Sequence, residues 1–179
     1  MKKSRESKRV YDGKLLKIEL DRVTLPNGNV ADLEMIHHPG ASAVVPLLED
    51  GNILLVHQYR YAAGGFIFEI PAGKLDSGED PLACAGRELE EETGYRAGRY
   101  TKLLSFLTTP GFCDEVIHIY IAEDLVPGKQ DLEENEVLEI RKIPFTKTME
   151  MIASGEIRDG KTIIGLQAAW LKLKSEGKI

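Results

Sequence analysis

The feature that most constrains how this 179-residue chain can fold is a change of hydrophobic period near residue 80. Upstream, apolar and polar residues alternate as in strands; from 80 to 94 the apolar positions recur every three to four residues, which predicts an amphipathic helix. Its ends are marked. Asp80 suits the N-cap, Pro81 the first helical position, and Gly94 the left-handed residue after the last turn. At 100° per residue Leu82, Ala85, Gly86 and Leu89 share one side, whereas Glu88, Glu91 and Glu92 fall on the other. Three carboxylates at this spacing repel by roughly 0.2–0.5 kcal/mol per pair, so the cluster calls for cations. Arg87, four residues before Glu91, can supply one. Hard divalent ions, Mg²⁺ or Mn²⁺, can supply the rest, because they prefer carboxylate oxygens and keep positions for water and phosphate oxygens. A solvated acidic face is the competing reading of residues 88–92.

The remaining segments mix strands and helices. Residues 14–25 read as a half-buried strand with Leu16, Ile18 and Leu20 on one side and Lys17, Glu19 and Asp21 on the other. Pro26-Asn27-Gly28-Asn29 turns the chain into a returning strand over 30–38, and His38-Pro39-Gly40 closes a small β unit. This divides the chain into an N-terminal β subdomain, 1–40, and a main domain, 41–179. Strands are expected at 41–48 and 53–59, joined by the turn Glu49-Asp50-Gly51-Asn52, and at 66–70, 100–107, 116–123 and 137–143. Helices are expected at 147–154 and 161–174. The fold class is therefore α/β or α+β. The run Lys2, Lys3, Arg5, Lys8, Arg9 reads as a frayed, solvated start. A net charge of −6 argues against nucleic acid as a partner. Two cysteines, Cys84 and Cys113, with no CxxC spacing suggest packing thiols in a reducing cytoplasm. No apolar run reaches membrane-spanning length, so a soluble protein is expected. His37, His38, His57 and His118 show no metal-ligand spacing and read as ordinary strand or surface residues.

The loop Gly73-Lys74-Leu75-Asp76-Ser77-Gly78-Glu79 feeds directly into the helix, and the whole run 73–95 fits the pattern GX5EX7REUXEEXGU, where U is a bulky apolar residue. Here the chain resembles the Nudix hydrolase family. Gly73, Glu79, Arg87, Glu88, Leu89, Glu91, Glu92 and Gly94 all match, and Tyr95 stands where an aliphatic residue is more usual. Glu69-Ile70-Pro71-Ala72-Gly73, the Pro110-Gly111-Phe112 loop and the N-terminal β unit make the resemblance strongest to the ADP-ribose pyrophosphatase subgroup. It implies an α/β/α sandwich with a mixed sheet, preceded by a small antiparallel β subdomain through which a homodimer forms. It also implies hydrolysis of ADP-ribose to AMP and ribose 5-phosphate. Another nucleotide sugar or dinucleotide (GDP-mannose, ADP-glucose, NADH) is the first alternative, and a non-catalytic ADP-ribose-sensing module the second.

By position in the pattern, the resemblance implies that Glu88 and Glu92 ligate Mg²⁺, that Glu91 is shared between metal and Arg87, that the Ala72 carbonyl is a further ligand, and that Glu79 stands behind them. In Asp131-Leu132-Glu133-Glu134-Asn135-Glu136 it favours Glu134 as general base and Glu136 as completing a metal site, with Glu133 the alternative base. Arg60 matches an arginine that grips phosphates, a task that suits a guanidinium fork. Glu69 accepts a hydrogen bond from substrate or forms a structural pair. The resemblance implies that Glu115 and Phe112 face the terminal ribose, unless Phe112 is core. Near Gly13-Lys14-Leu15-Leu16 the nearest aromatic is Tyr11, and His37-His38-Pro39 stands where an arginine is expected, so base preference is open.

Overall fold

The computed structural model describes residues 5–13 and 16–179. Lys2 and Lys3 of the basic run, and Lys14 and Leu15 at the start of the first expected strand, lie outside the described residues. The chain forms two compact units, one of residues 1–40 with 106–116 and one of residues 41–105 with 117–179.

In the first unit β1 (Arg5–Asp12), β2 (Lys17–Thr24) and β3 (Val30–Ile36) form an antiparallel sheet in chain order. The expectation of a frayed start fails from residue 5 onward, because polar side chains pair across the register. Ser7 stands opposite Asp21 and Arg9 opposite Glu19, and the Ser7 hydroxyl donates to Asp21 while Arg9 donates to Glu19. Asp21 is buried, so the side of β2 read as solvated is the more enclosed one there. The turn at Gly28 takes φ 86°, where a side chain would be strained. Residues 106–116 join this sheet, with the Ile36 N–H donating to the Phe112 carbonyl at 2.7 Å.

The second unit is layered. Its mixed sheet runs β7 (Ala72–Lys74), β4 (Ala41–Pro46), β9 (Val116–Pro127), β8 (Tyr95–Leu107). β4 lies parallel to β9 and antiparallel to β7. All six residues of β4 are buried, as expected of a strand covered on both faces. Neighbouring side chains divide between the covers. Val44 packs with Ala85 and Leu89 of α1 (Pro81–Thr93), whereas Val45 faces α3 (Gly160–Ser175) at Gly165, where a Cβ would lie 2.8 Å from Ile70. That is an α/β/α sandwich. A second, antiparallel sheet orders β10 (Leu138–Pro144), β5 (Asn52–Arg60), β6 (Gly65–Glu69). α2 (Phe145–Ser154) meets α3 through the edge-to-face pair Phe145–Trp170. β7 falls where a loop was expected, since Ala-Gly-Lys carries no alternating pattern. No helix among the described residues is long and apolar enough to cross a membrane.

Candidate active site

The caps expected for α1 are in place. The Asp80 carboxylate accepts from the Leu82 and Ala83 N–H groups at 2.8 and 3.3 Å, and Gly94 ends the helix at φ 69°. Leu89 is fully buried against the sheet, worth about 1.5–3 kcal/mol. The glutamate side is not solvated either: Glu88 is 8% exposed and Glu92 2%, and only Glu91 keeps substantial contact with solvent. This excludes the solvated-face reading for Glu88 and Glu92. Buried carboxylates are expensive unless paired or bound to a cation.

Glu92 accepts the Ala72 N–H at 3.2 Å, yet its pKa is pushed up to about 8, first by burial and then by the like charges of Glu88 and Glu136. Glu88 is raised by burial as well, against the pull of Arg87. Gly73 allows this approach, because a Cβ there would lie 1.9 Å from Glu88 Oε1. Arg87 is a hub and no loose surface ion pair. Its Nε and one terminal nitrogen donate to the two oxygens of Glu79 at 2.9 and 3.0 Å, and the other terminal nitrogen donates to Glu88 at 2.6 Å and Glu91 at 3.0 Å. Arg87 holds the Glu79 carboxyl down at about 2. The Asp76 N–H donates to Glu79, so the glycine-bounded loop is stitched to the helix. Cys84 behind Arg87 is a buried free thiol raised to about 12 by burial, a packing residue as expected.

Glu69, at the end of β6, is 2% exposed and forms a structural pair. Arg60 grips it with a fork, Nε to Oε1 at 2.8 Å and a terminal nitrogen to Oε2 at 2.9 Å, and Lys161 Nζ donates to Oε2 at 2.5 Å. Burial, the largest influence, would raise Glu69, but the two cations together hold it below its ordinary range. Lys161 escaped sequence reading because one lysine in a helical first turn carries no pattern. It is set there by Asp159, the N-cap of α3, which accepts from the Thr162 N–H and hydroxyl, while the Thr162 hydroxyl oxygen accepts from the Ile70 N–H. Arg60 and Lys161 both lie within electrostatic reach of Glu92. Gln58, two residues before Arg60 on β5, is 4% exposed, and its Oε1 has no donor among the described residues.

In the acidic stretch, Glu136 is the residue whose charge acts on both Glu88 and Glu92. Glu133 and Glu134 are exposed on a turn closed by the Glu136 N–H to the Glu133 carbonyl, while the Glu133 N–H donates to the Glu136 carboxylate. Phe112 and Glu115 belong to the first unit. Phe112 is 51% exposed and so is not core, and Glu115 lies 3.2 Å from His38 Nδ1. His37 is not an ordinary surface histidine: its Nδ1 meets Asp114 at 2.5 Å, and it gathers with Glu19 and Asp21 so that one ligand atom from each lies within 4.8 Å of the others. Arg9, Ser7 and Asp114 already engage these three groups.

The α1 set fits a divalent cation. Glu88 and Glu92 are hard oxygen donors, desolvated, mutually repelling and joined by Glu136, with Ala72 alongside. With Arg60 and Lys161 adjoining, such a site can hold a polyanion next to a carboxylate-bound cation. The NUDIX domain family matches residues 36–164 of the chain. The chain belongs to the NUDIX domain family of hydrolases. Among the proteins similar to it is an ADP-ribose pyrophosphatase of Bacillus subtilis, 41% identical over 91% of this chain and 89% of that protein. Another is a methanol dehydrogenase activator of Bacillus methanolicus, 40% identical over 92% of this chain and 90% of that protein. A crystal structure of an ADP compounds hydrolase superposes with a TM-score of 0.87 at 23% identity, covering 100% of this chain and 98% of that one, which establishes the shared fold.

Proposed function

We propose that this Nudix hydrolase cleaves the pyrophosphate of ADP-ribose to AMP and ribose 5-phosphate. Mg²⁺, replaceable by Mn²⁺, would be held by Glu88, Glu92, Glu136 and the Ala72 carbonyl, with Glu91 shared with Arg87. The observation that carries the reading is the buried pair Glu88 and Glu92 beside Glu136, on the flank of Arg60 and Lys161. Mg²⁺ held there would supply Lewis acidity toward a phosphoryl oxygen and toward water.

The chain's own groups do the rest. Glu69 takes Nε and one terminal nitrogen of Arg60, leaving the other terminal nitrogen outside this fork for a phosphate oxygen. Lys161, held by Glu69 and Asp159, adds a second fixed cation. Arg87 keeps the glutamates of α1 in their rotamers through its bonds to Glu79, Glu88 and Glu91. Glu134, exposed on its turn, takes the proton of the attacking water, with Glu133 the alternative. The relative named ADP-ribose pyrophosphatase supports the choice of substrate.

The proposal includes a cytoplasmic setting and a homodimer through the N-terminal unit, whose exposed Val10, Tyr11, Val30 and Leu33 offer apolar surface. Light scattering reads twice 19.9 kDa for that dimer, and the mass of a single chain refutes it. The deciding experiment is a rate panel with Mg²⁺ across ADP-ribose, ADP-glucose, GDP-mannose and NADH. ADP-ribose should be cleaved fastest. A faster rate on another member moves the substrate. Background rates throughout would point to a binding module, a reading to which the activator name of the Bacillus methanolicus relative lends weight.

A further inference from the structure

We infer that Gln130 is a positioning residue, which fastens the acidic loop to the C-terminal end of α1 so that Glu136 is carried with Glu88 and Glu92. The inference rests on the proposed active site.

A helix ends with carbonyls that have no donor within the helix. In α1 the Gly94 N–H serves Glu90, and a segment more than thirty residues downstream serves Glu91 and Glu92. Three residues donate to this end. The Gly128 N–H reaches the Gly94 carbonyl at 2.6 Å, Gln130 Nε2 the Glu92 carbonyl at 2.7 Å, and the Asp131 N–H the Glu91 carbonyl at 2.9 Å. Gly94 makes room for the seam, since a Cβ there would lie 3.1 Å from the main-chain nitrogen of Gln130. Two of the three donors are main-chain N–H groups that almost any residue provides. The Gln130 carboxamide is the one contact written in a side chain, and it grips the residue whose carboxylate is the most enclosed of the α1 glutamates.

Past Asp131 the chain turns, and Glu136 comes within electrostatic range of Glu88 and Glu92. The seam fixes where that stretch leaves the helix. Without the Gln130 bond, the acids on the loop lose their register on the helix, and turnover suffers while the cationic grip of Arg60 and Lys161 on substrate does not.

The test compares Gln130→Met, which keeps length but has no donor, with Gln130→Arg, which restores a donor and places a cation where a helix C-terminus favours one. Steady-state rates on ADP-ribose with Mg²⁺ are measured together with amide exchange across residues 131–137. Gln130→Met should lower kcat about tenfold with KM within about twofold, and speed exchange in 131–137 with the rest of the chain unchanged. Gln130→Arg should recover kcat. An unchanged kcat in Gln130→Met, an equal loss in both variants, or faster exchange throughout the chain each overturns the assignment. If the unaltered protein cleaves no pyrophosphate, the functional reading fails by itself. Exchange then decides the seam, with local acceleration in Gln130→Met upholding it and no change refuting it.

Discussion

Replacing Glu92 by Gln keeps its shape and removes its charge, and the burial of that charge predicts opposite effects on stability and on turnover. In the folded protein the carboxyl is 2% exposed and titrates at about 8, mainly through burial and then through Glu88 and Glu136, against an ordinary value of 4.5. Between those values the folded protein holds a proton that the unfolded chain has released. The metal-free protein therefore loses stability as pH rises from about 4.5 to about 8, and the loss is complete above that. At about 1.4 kcal/mol per pH unit, and allowing for relaxation around the charge, the loss is roughly 2–5 kcal/mol. Glu88, raised for the same reasons, adds in the same direction. In EDTA, Glu92→Gln should thus be more stable than the unaltered protein at pH 9 by that amount, with the gap closing toward pH 5. Added Mg²⁺ should stabilise the unaltered protein through binding and erase the difference. Turnover should move the other way, with kcat/KM falling at least about 100-fold, close to 2.7 kcal/mol on the barrier. Urea denaturation at pH 5 and pH 9, in EDTA and in Mg²⁺, gives the stability readout, and a rate assay gives the other. A variant that gains no stability at pH 9 in EDTA, or one that keeps full activity, refutes the reasoning.

Other substitutions probe the rest of the site. Gly73→Ala places a methyl 1.9 Å from Glu88 Oε1, so Glu88 must move; the Mg²⁺ concentration for half-maximal rate should rise at least about tenfold, with a stability cost of about 1–3 kcal/mol in urea. Lys161→Met leaves buried Glu69 with Arg60 alone and should cost about 2 kcal/mol; the double variant with Glu69→Gln should recover part of that loss, as a coupled pair does. Glu134→Gln should lower kcat far more than it changes KM and more than Glu133→Gln does, and the reverse ranking reassigns the base. Arg87→Lys cannot reproduce the fork to Glu79 together with the bonds to Glu88 and Glu91; kcat should fall about 10- to 100-fold, and an unchanged rate would return Arg87 to the status of a surface ion pair.

What could be read from the chain alone was whatever neighbouring residues decide among themselves. Asp80, Pro81 and Gly94 bound α1 by local capping chemistry, and the structure places its ends where those residues put them. The turns at Gly28 and Gly51 were legible for the same reason, since both need positive φ. β4 was legible as an apolar strand within 41–48, whereas the cover on both its faces was not, because it comes from α1 and α3. Elements built from polar side chains were not legible. β1 carries Ser7 and Arg9 in place of apolar alternation, and its reason for being a strand lies in Asp21 and Glu19 on β2. Periodicity likewise sorted Glu88, Glu91 and Glu92 onto one face of α1 but could not say that two of them would be enclosed. That outcome depends on Ala72 and Gly73, outside the helix, which lie against Glu92 and Glu88. Lys161 is the sharpest case. It stands 92 residues from Glu69, and nothing in its own neighbourhood sets it apart from a solvated lysine. Its place could have been inferred only in reverse: a carboxylate as enclosed as Glu69 demands more positive charge than one half-exposed arginine supplies, and the first turn of a helix already fixed by Asp159 and Thr162 is where the second cation arrives.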